Sequence, residues 1–210
     1  MTKVDYEHNG TNKNIVDCFK LREICKQCKH WSSQCDSFLS PNIRSLKSLI
    51  KWTKIVPNLQ SMSLIDQTWP ISLSYLRFLC IRNVEDMRSM QPSNVTSWNC
   101  PLLEHLEIFC IVTERDVKEI AGKFPKLTHL YVTMDSVTCL KISDFPNLKT
   151  LSLSVYRNDE FKNTIQIFDI PNLVELFCNG TIGLLEMKMV PNLRKISTMN
   201  GFYMIRDFSR

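Results

Sequence analysis

Cys18, Cys25-x-x-Cys28, His30 and Cys35 are the residues whose types and spacing could hold a metal ion, since zinc takes thiolates and imidazoles. Structural zinc uses two ligand pairs on separate turns. Here one CxxC stands without a second pair and without the Gly or Pro that shapes a knuckle. From Ile15 to about Phe38 there is no proline or glycine, and Cys18, Leu21, Ile24, Cys25, Cys28, Trp31, Cys35 and Phe38 recur at helical spacing. The four cysteines therefore share a stripe with Leu21 and read as small apolar side chains in one or two helices, so no metal is expected. His8, His30, His105 and His129 are too scattered for a triad, and five glycines form no phosphate-cradling loop. Neither a catalytic constellation nor a cofactor is expected; the chain does not read as an enzyme.

The chemistry that remains is recognition, and a repeat positions it. Phe145-Pro146-Asn147-Leu148-Lys149-Thr150-Leu151-Ser152-Leu153 returns along the chain with its polar letters changed. Copies begin at Pro57, Pro101 and Pro125, then at Pro171 and Pro191, and a seventh, Ser74 to Ile81, lacks the proline. The first leucines, Leu59, Leu76, Leu103, Leu127, Leu148, Leu173 and Leu193, are about 17, 27, 24, 21, 25 and 20 residues apart, mostly within the range of leucine-rich repeats. In Leu148-x-x-Leu151-x-Leu153 the last two leucines share one face of an extended chain, and the first turns inward at the strand entrance. One such strand cannot bury its apolar face. Each copy must lie parallel to the next, with a return segment behind it and the proline ahead of the strand as a start mark. The spacing predicts seven parallel strands near 59–65, 76–82, 103–109, 127–133, 148–154, 173–179 and 193–198. They form one curved sheet in an α/β leucine-rich-repeat solenoid. Helices and short extended arms lie on the convex face, the helices mainly before residue 125, and a helical N-terminal region caps the coil.

The side chains that alternate with the leucines point away from the core. For the central strands these are Phe78, Cys80 and Arg82, then His105, Glu107 and Phe109, then His129, Tyr131 and Thr133. Thr150, Ser152 and Ser154 follow as small polar residues, and Glu175, Phe177 and Asn179 bring back one aromatic. A concave face with Phe78, Arg82, His105, Glu107, Phe109, His129, Tyr131 and Phe177 in adjacent rows would offer the aromatic anchors that dominate protein interfaces.

Composition narrows the classes of partner. Residues 1–60 carry ten Lys/Arg against five Asp/Glu, while residues 61–210 carry sixteen of each, so the strands supply no basic stripe for nucleic acid. No apolar run approaches a membrane span, and the start, Met-Thr-Lys-Val-Asp-Tyr-Glu-His, lacks the apolar core of a secretory signal. Nine cysteines, an odd number, then fit a reducing compartment, the cytoplasm or nucleus. A monomer that binds neither nucleic acid nor membrane is expected.

In chain order, residues 1–14 are polar and read as a disordered lead, and residues 15–56 as a helical N-terminal region ahead of the repeat domain, 57–210. Ser40-Pro41-Asn42 should cap a second helix with Ile43, Leu46, Leu49 and Ile50 on one face. Thr113 should cap a third, with Asp116 completing a capping box, Val117, Ile120 and Phe124 facing inward, and Gly122 easing its end. Met87 to Trp98 reads as a long loop. Val137 to Ile142, Ile165 to Ile170 and Leu184 to Met189 read as extended return arms, and the methionines of 187–204 as core fill. Phe202, Met204, Ile205 and Phe208 should cover the last coil.

Cys100-Pro101-Leu102-Leu103-Glu104-His105-Leu106-Glu107-Ile108, and Thr113 to Val132 with its helix leading into Phe-Pro-Lys-Leu-x-x-Leu, resemble the repeats of F-box leucine-rich-repeat proteins. Leu140 to Leu148 and Met187 to Leu193 are similar to the large plant group of that family. The resemblance covers roughly residues 57–200. It implies an adaptor of cullin-type ubiquitin ligases, in which the F-box binds a Skp-type linker and the repeats hold the protein substrate. Asp17 to Leu21 and Cys28-Lys29-His30-Trp31 are similar to the second half of an F-box, but residues 1–14 contain no Leu-Pro-x-x-Leu opening. Residues 15–56 can thus be a degenerate F-box or a helical cap. The asparagine ladder of leucine-rich repeats is not kept in register, and the gap from Leu59 to Leu76 is short. The expected function is substrate recognition. The alternatives are a ubiquitin-independent scaffold or immune-receptor-like repeat fragment, and a small-molecule receptor with a pocket at the top of the coil.

Overall fold

A proline fixed near φ −65° favours a tight turn, and the phrases that begin at Pro101, Pro125, Pro146, Pro171 and Pro191 each form one. The N–H groups of Leu103, Leu127, Leu148, Leu173 and Leu193 donate to the carbonyls of Cys100, Phe124, Phe145, Ile170 and Val190, three residues earlier in each case. The structure, a computed structural model, describes residues 42–43, 58–65, 71–82, 97–135, 139–156, 164–180, 182–199 and 202–207. The chain divides into two units, Met1–Phe38 and Leu39–Arg210, and all the described residues belong to the second. The lead over 1–14, the cysteine stripe, the F-box-like phrases and most of the Met87 to Trp98 loop lie outside the described residues.

Among the described residues twelve strands and one helix follow in order: β1 (Asn42–Ile43), β2 (Ser61–Ile65), β3 (Phe78–Arg82), β4 (His105–Ile111), α1 (Glu114–Lys123), β5 (His129–Asp135), β6 (Cys139–Ser143), β7 (Thr150–Tyr156), β8 (Thr164–Phe168), β9 (Glu175–Asn179), β10 (Ile182–Lys188), β11 (Lys195–Thr198) and β12 (Phe202–Asp207). The molecule is α/β, with an eight-stranded sheet in the order β1-β2-β3-β4-β5-β7-β9-β11 and a four-stranded sheet in the order β12-β10-β8-β6. All pairings are parallel. From β6 onward the chain alternates between the two sheets, as the expected return arms require.

Each of the seven predicted strands is present, starting two residues after its first leucine. The alternate residues of these strands are in register across the large sheet. Met62, Leu79, Leu106, Leu130, Leu151 and Leu176 form one row, and all are at most 2% exposed. Leu64, Ile81, Ile108, Val132, Leu153 and Cys178 form a second buried row. The small sheet faces them with its own rows, Leu140, Ile165 and Leu185, then Ile142, Ile167 and Met187. The return to the next phrase is made at Asp144, Asp169 and Met189, each in the left-handed region at φ 67, 53 and 58, two residues before a proline. Aspartate tolerates that region through local hydrogen bonding.

An asparagine ladder does exist, though on a position the sequence pattern for leucine-rich repeats does not use. The Nδ2 groups of Asn147, Asn172 and Asn192 donate to the carbonyls of Pro125, Pro146 and Pro171 in the preceding phrases, at 2.8, 2.6 and 2.7 Å.

Between β4 and β5 the capping box expected from Thr113-x-x-Asp116 opens α1. The Asp116 N–H donates to Thr113 Oγ1 at 3.3 Å, and the Thr113 N–H donates to Asp116 Oδ2 at 2.8 Å. Val117, Ile120 and Phe124 are buried as expected. Replacing Thr113 by Ala should remove the cap and lower unfolding stability by about 1 kcal/mol in urea titrations.

Several expectations need correction. Asn42 and Ile43, expected in the second helix, instead pair with Ser63 and Leu64 on the edge of β2, while Leu46, Leu49 and Ile50 lie outside the described residues. Gly122 lies inside α1, and Phe124, at φ −117, ends it. Met189 and Met199 are 57% and 80% exposed, so only Met187 of the described methionine side chains after residue 186 fills core. Phe202–Asp207 continue the small sheet beside β10; Ile205, expected to cover the last coil, is 47% exposed there, and Ile196, the last member of the first row, is 38% exposed, while the side chains of Phe202 and Met204 lie outside the described residues. Phe208 lies outside the described residues.

Candidate functional site

Because parallel register places equivalent positions side by side, the residues that alternate with the core rows form rows of their own on the opposite face of the large sheet. The first row is Phe78, His105, His129, Thr150 and Glu175, ending at Lys195. The second contains Glu107, Tyr131, Ser152 and Phe177.

The first row is a run of rings. The Phe78 and His105 centroids are 4.7 Å apart, and His105 stacks on His129 at 5.0 Å with 14° between planes. Beside it, Phe109 meets Tyr131 at 4.6 Å, with the Arg82 guanidinium 5.1 Å from the Phe109 centroid. Phe109 reaches Tyr131 because β4 is irregular at this point, with Ile108 opposite Val132 but Ile111 opposite Thr133. The predicted residues Phe78, Arg82, His105, Glu107, Phe109, His129 and Tyr131 are thus brought together over three adjacent strands. Phe177 stands apart on β9, where Lys195 Nζ lies 4.9 Å from its ring centroid.

Two members of the exposed set are buried. Cys80 is 1% exposed and Thr133 is 5% exposed. Both are short side chains beneath longer neighbours: Arg82 Nε donates to Cys80 Sγ at 3.4 Å, and Thr133 sits two residues from Tyr131 and opposite Ile111. Burial raises the Cys80 thiol above its ordinary range, against the opposing pull of Arg82, and pushes those of Cys100, Cys110 and Cys178 up to about 11, 12 and 12. Thiols held protonated in this way act as apolar fill, not as nucleophiles.

Polar contacts fix the rings. His105 Nε2 is 3.2 Å from Glu107 Oε1. Thr128 Oγ1 lies 3.0 Å from the Glu104 carbonyl and 2.9 Å from His129 Nδ1. The hydroxyl thus links the His129 ring to the Glu104 carbonyl, which also accepts from the N–H groups of Thr128 and His129. Burial first, then His105 and Lys149, lower the His129 pKa from the ordinary imidazole value, with Glu175 acting the other way. These surroundings favour the neutral form of the ring.

Among the described residues no group of three His, Cys, Asp or Glu side chains is placed to hold a metal ion, and no helix is long and apolar enough to cross a membrane. The sequence pattern located the ring-bearing positions but missed the Phe109–Tyr131 pairing and the Asn ladder. The Asn ladder had a visible signal, asparagine at the second place of four Pro-Asn-Leu phrases, three of which form it. The chain matches no protein-family model, no curated protein and no solved structure.

Proposed function

We propose that the chain is a leucine-rich-repeat solenoid that binds another protein on the concave, ring-bearing face of its large sheet. We propose further that it serves as a substrate-recognition module of the kind used by F-box adaptors of cullin-type ubiquitin ligases, in the cytoplasm or nucleus. The repeated phrase, its parallel register and the alternation between two sheets support the solenoid. One observation carries the binding reading: Phe78, His105, His129, Phe109 and Tyr131 make a contiguous strip over β3, β4 and β5 although none belongs to the buried core. Rings already packed against one another lose little side-chain freedom on binding, which is the property of interface anchors.

Replacing Tyr131 or Phe109 by Ala should weaken capture of the protein partner by about 2 kcal/mol or more, roughly 30-fold, with the melting temperature nearly unchanged. A large loss of stability with either change would assign the ring to the core and remove the binding strip. Pull-down with a purified Skp-type protein separates the ligase adaptor from a ubiquitin-independent scaffold: retention supports the first reading, and failure to bind leaves the second.

A further inference from the structure

Tyr131, Ser152 and Phe177 occupy the same register position on β5, β7 and β9, and His129, Thr150 and Glu175 the position before. With strands about 4.8 Å apart, two larger residues face each other across about 10 Å, and only hydroxyl side chains lie between them. The outer sides of this trough are backed: Tyr131 leans on Phe109, and Phe177 on Lys195. We infer that the trough over β7 receives an arginine side chain from an extended partner segment, the guanidinium lying between Tyr131 and Phe177 above Ser152. This rests on the reading of the face as protein-binding and names the chemistry it selects.

Three features select that group. The midpoint between the flanking strands is about 5 Å from each, within the range at which a cation is held by an aromatic face. The same face already holds cations in this way, Arg82 on Phe109 at 5.1 Å and Lys195 on Phe177 at 4.9 Å. Finally, the trough is rich in acceptors: the Glu175 carboxylate and the hydroxyls of Thr150 and Ser152, with the His129 ring beside them. A guanidinium brings five donors and no acceptor on a plane thin enough to lie between two rings, whereas an ammonium is a compact, strongly hydrated point charge. Glu175 is free to turn toward it, since its contact with Lys195 is a loose 3.8 Å and both side chains are more than a third exposed. The other charged or titratable groups around His129 are His105 and Glu107 on β4, Lys149 at the entrance of β7, and the Arg77–Glu104 pair at 2.7 Å beside the strip. Protonating His129 would place a cation beside the guanidinium and repel it, so binding should weaken as pH falls below the ordinary imidazole range.

The test is an NMR titration of the full chain with an acetylated, amidated Gly/Ser pentapeptide bearing one central arginine, alongside the same peptide with citrulline or lysine. The arginine peptide should shift the amides of Tyr131, Ser152 and Phe177 and bind about tenfold tighter than the other two. Phe177→Leu, which removes the ring but keeps apolar bulk, and Ser152→Leu, which fills the trough, should each abolish that preference. His129→Gln should remove the pH dependence. Equal binding of the three peptides, shifts confined to other strands, no binding at millimolar peptide, or a preference that survives both folded variants would overturn the assignment. If the peptides fail while partner capture stays sensitive to Phe109→Ala, the arginine assignment falls alone; if capture ignores Phe109→Ala, the binding face itself is lost.

Discussion

Replacing Leu151 by Ala should lower the unfolding free energy by about 2–5 kcal/mol, the range for truncating a fully buried leucine. Leu151 is 0% exposed and lies in register between Leu130 and Leu176, so its side chain closes the core between two neighbouring copies of the phrase. The cavity cannot collapse easily, because the strands on both sides are held by parallel ladders and by the hydrogen bonds of the adjoining turns. Both Lys149 and Thr150 donate to the Thr128 carbonyl, and both Val174 and Glu175 donate to that of Lys149. Thermal unfolding should show a fall of about 5–15 °C in Tm for a chain of this size. A change below about 1 kcal/mol would mean that neighbouring copies do not share one core.

Gly180→Ala should cost about 2–4 kcal/mol, more than its single added methyl suggests. Gly180 is buried, directly after β9, with φ at +101, a conformation that side-chain-bearing residues rarely adopt. A Cβ there would also lie 2.8 Å from the Val155 carbonyl oxygen and 3.0 Å from Val155 Cβ. The obstacle is partly backbone at the end of β7, so it cannot be relieved by a rotamer change. Gly122→Ala is the matched control. It lies inside α1 with nothing within 4 Å of a built Cβ, so alanine there should add about 1 kcal/mol through helix propensity. Urea titrations of the two variants should therefore move in opposite directions. Equal shifts would show that the Gly180 turn is free to rearrange.

The strand positions were legible because spacing alone sorts Leu148-x-x-Leu151-x-Leu153 into one inward turn and two inward strand positions. The two-residue offset of every strand was not. Leu148 belongs to the turn, its N–H returning to Phe145, and the N–H groups of Lys149 and Thr150 converge on one carbonyl, so ladder pairing begins only at Thr150. Alternation likewise placed Phe78, His105, His129 and Tyr131 on the outward face, since that depends only on the period of an extended chain.

What the sequence by itself determined is therefore the periodic part: parallel strands, buried leucine rows, the Thr113–Asp116 cap, and the ring-bearing positions that alternate with the core. These follow from local geometry repeated along the chain. The tertiary structure alone decided what depends on register and on the size of neighbours. It set His105 on His129 but left Phe177 two strands away, drew Phe109 onto Tyr131 through the irregularity in β4, and sank Cys80 and Thr133 beneath longer side chains. It also left Ile196 at the edge of the large sheet, 38% exposed. A period fixes which way a side chain points; only packing fixes what it meets there.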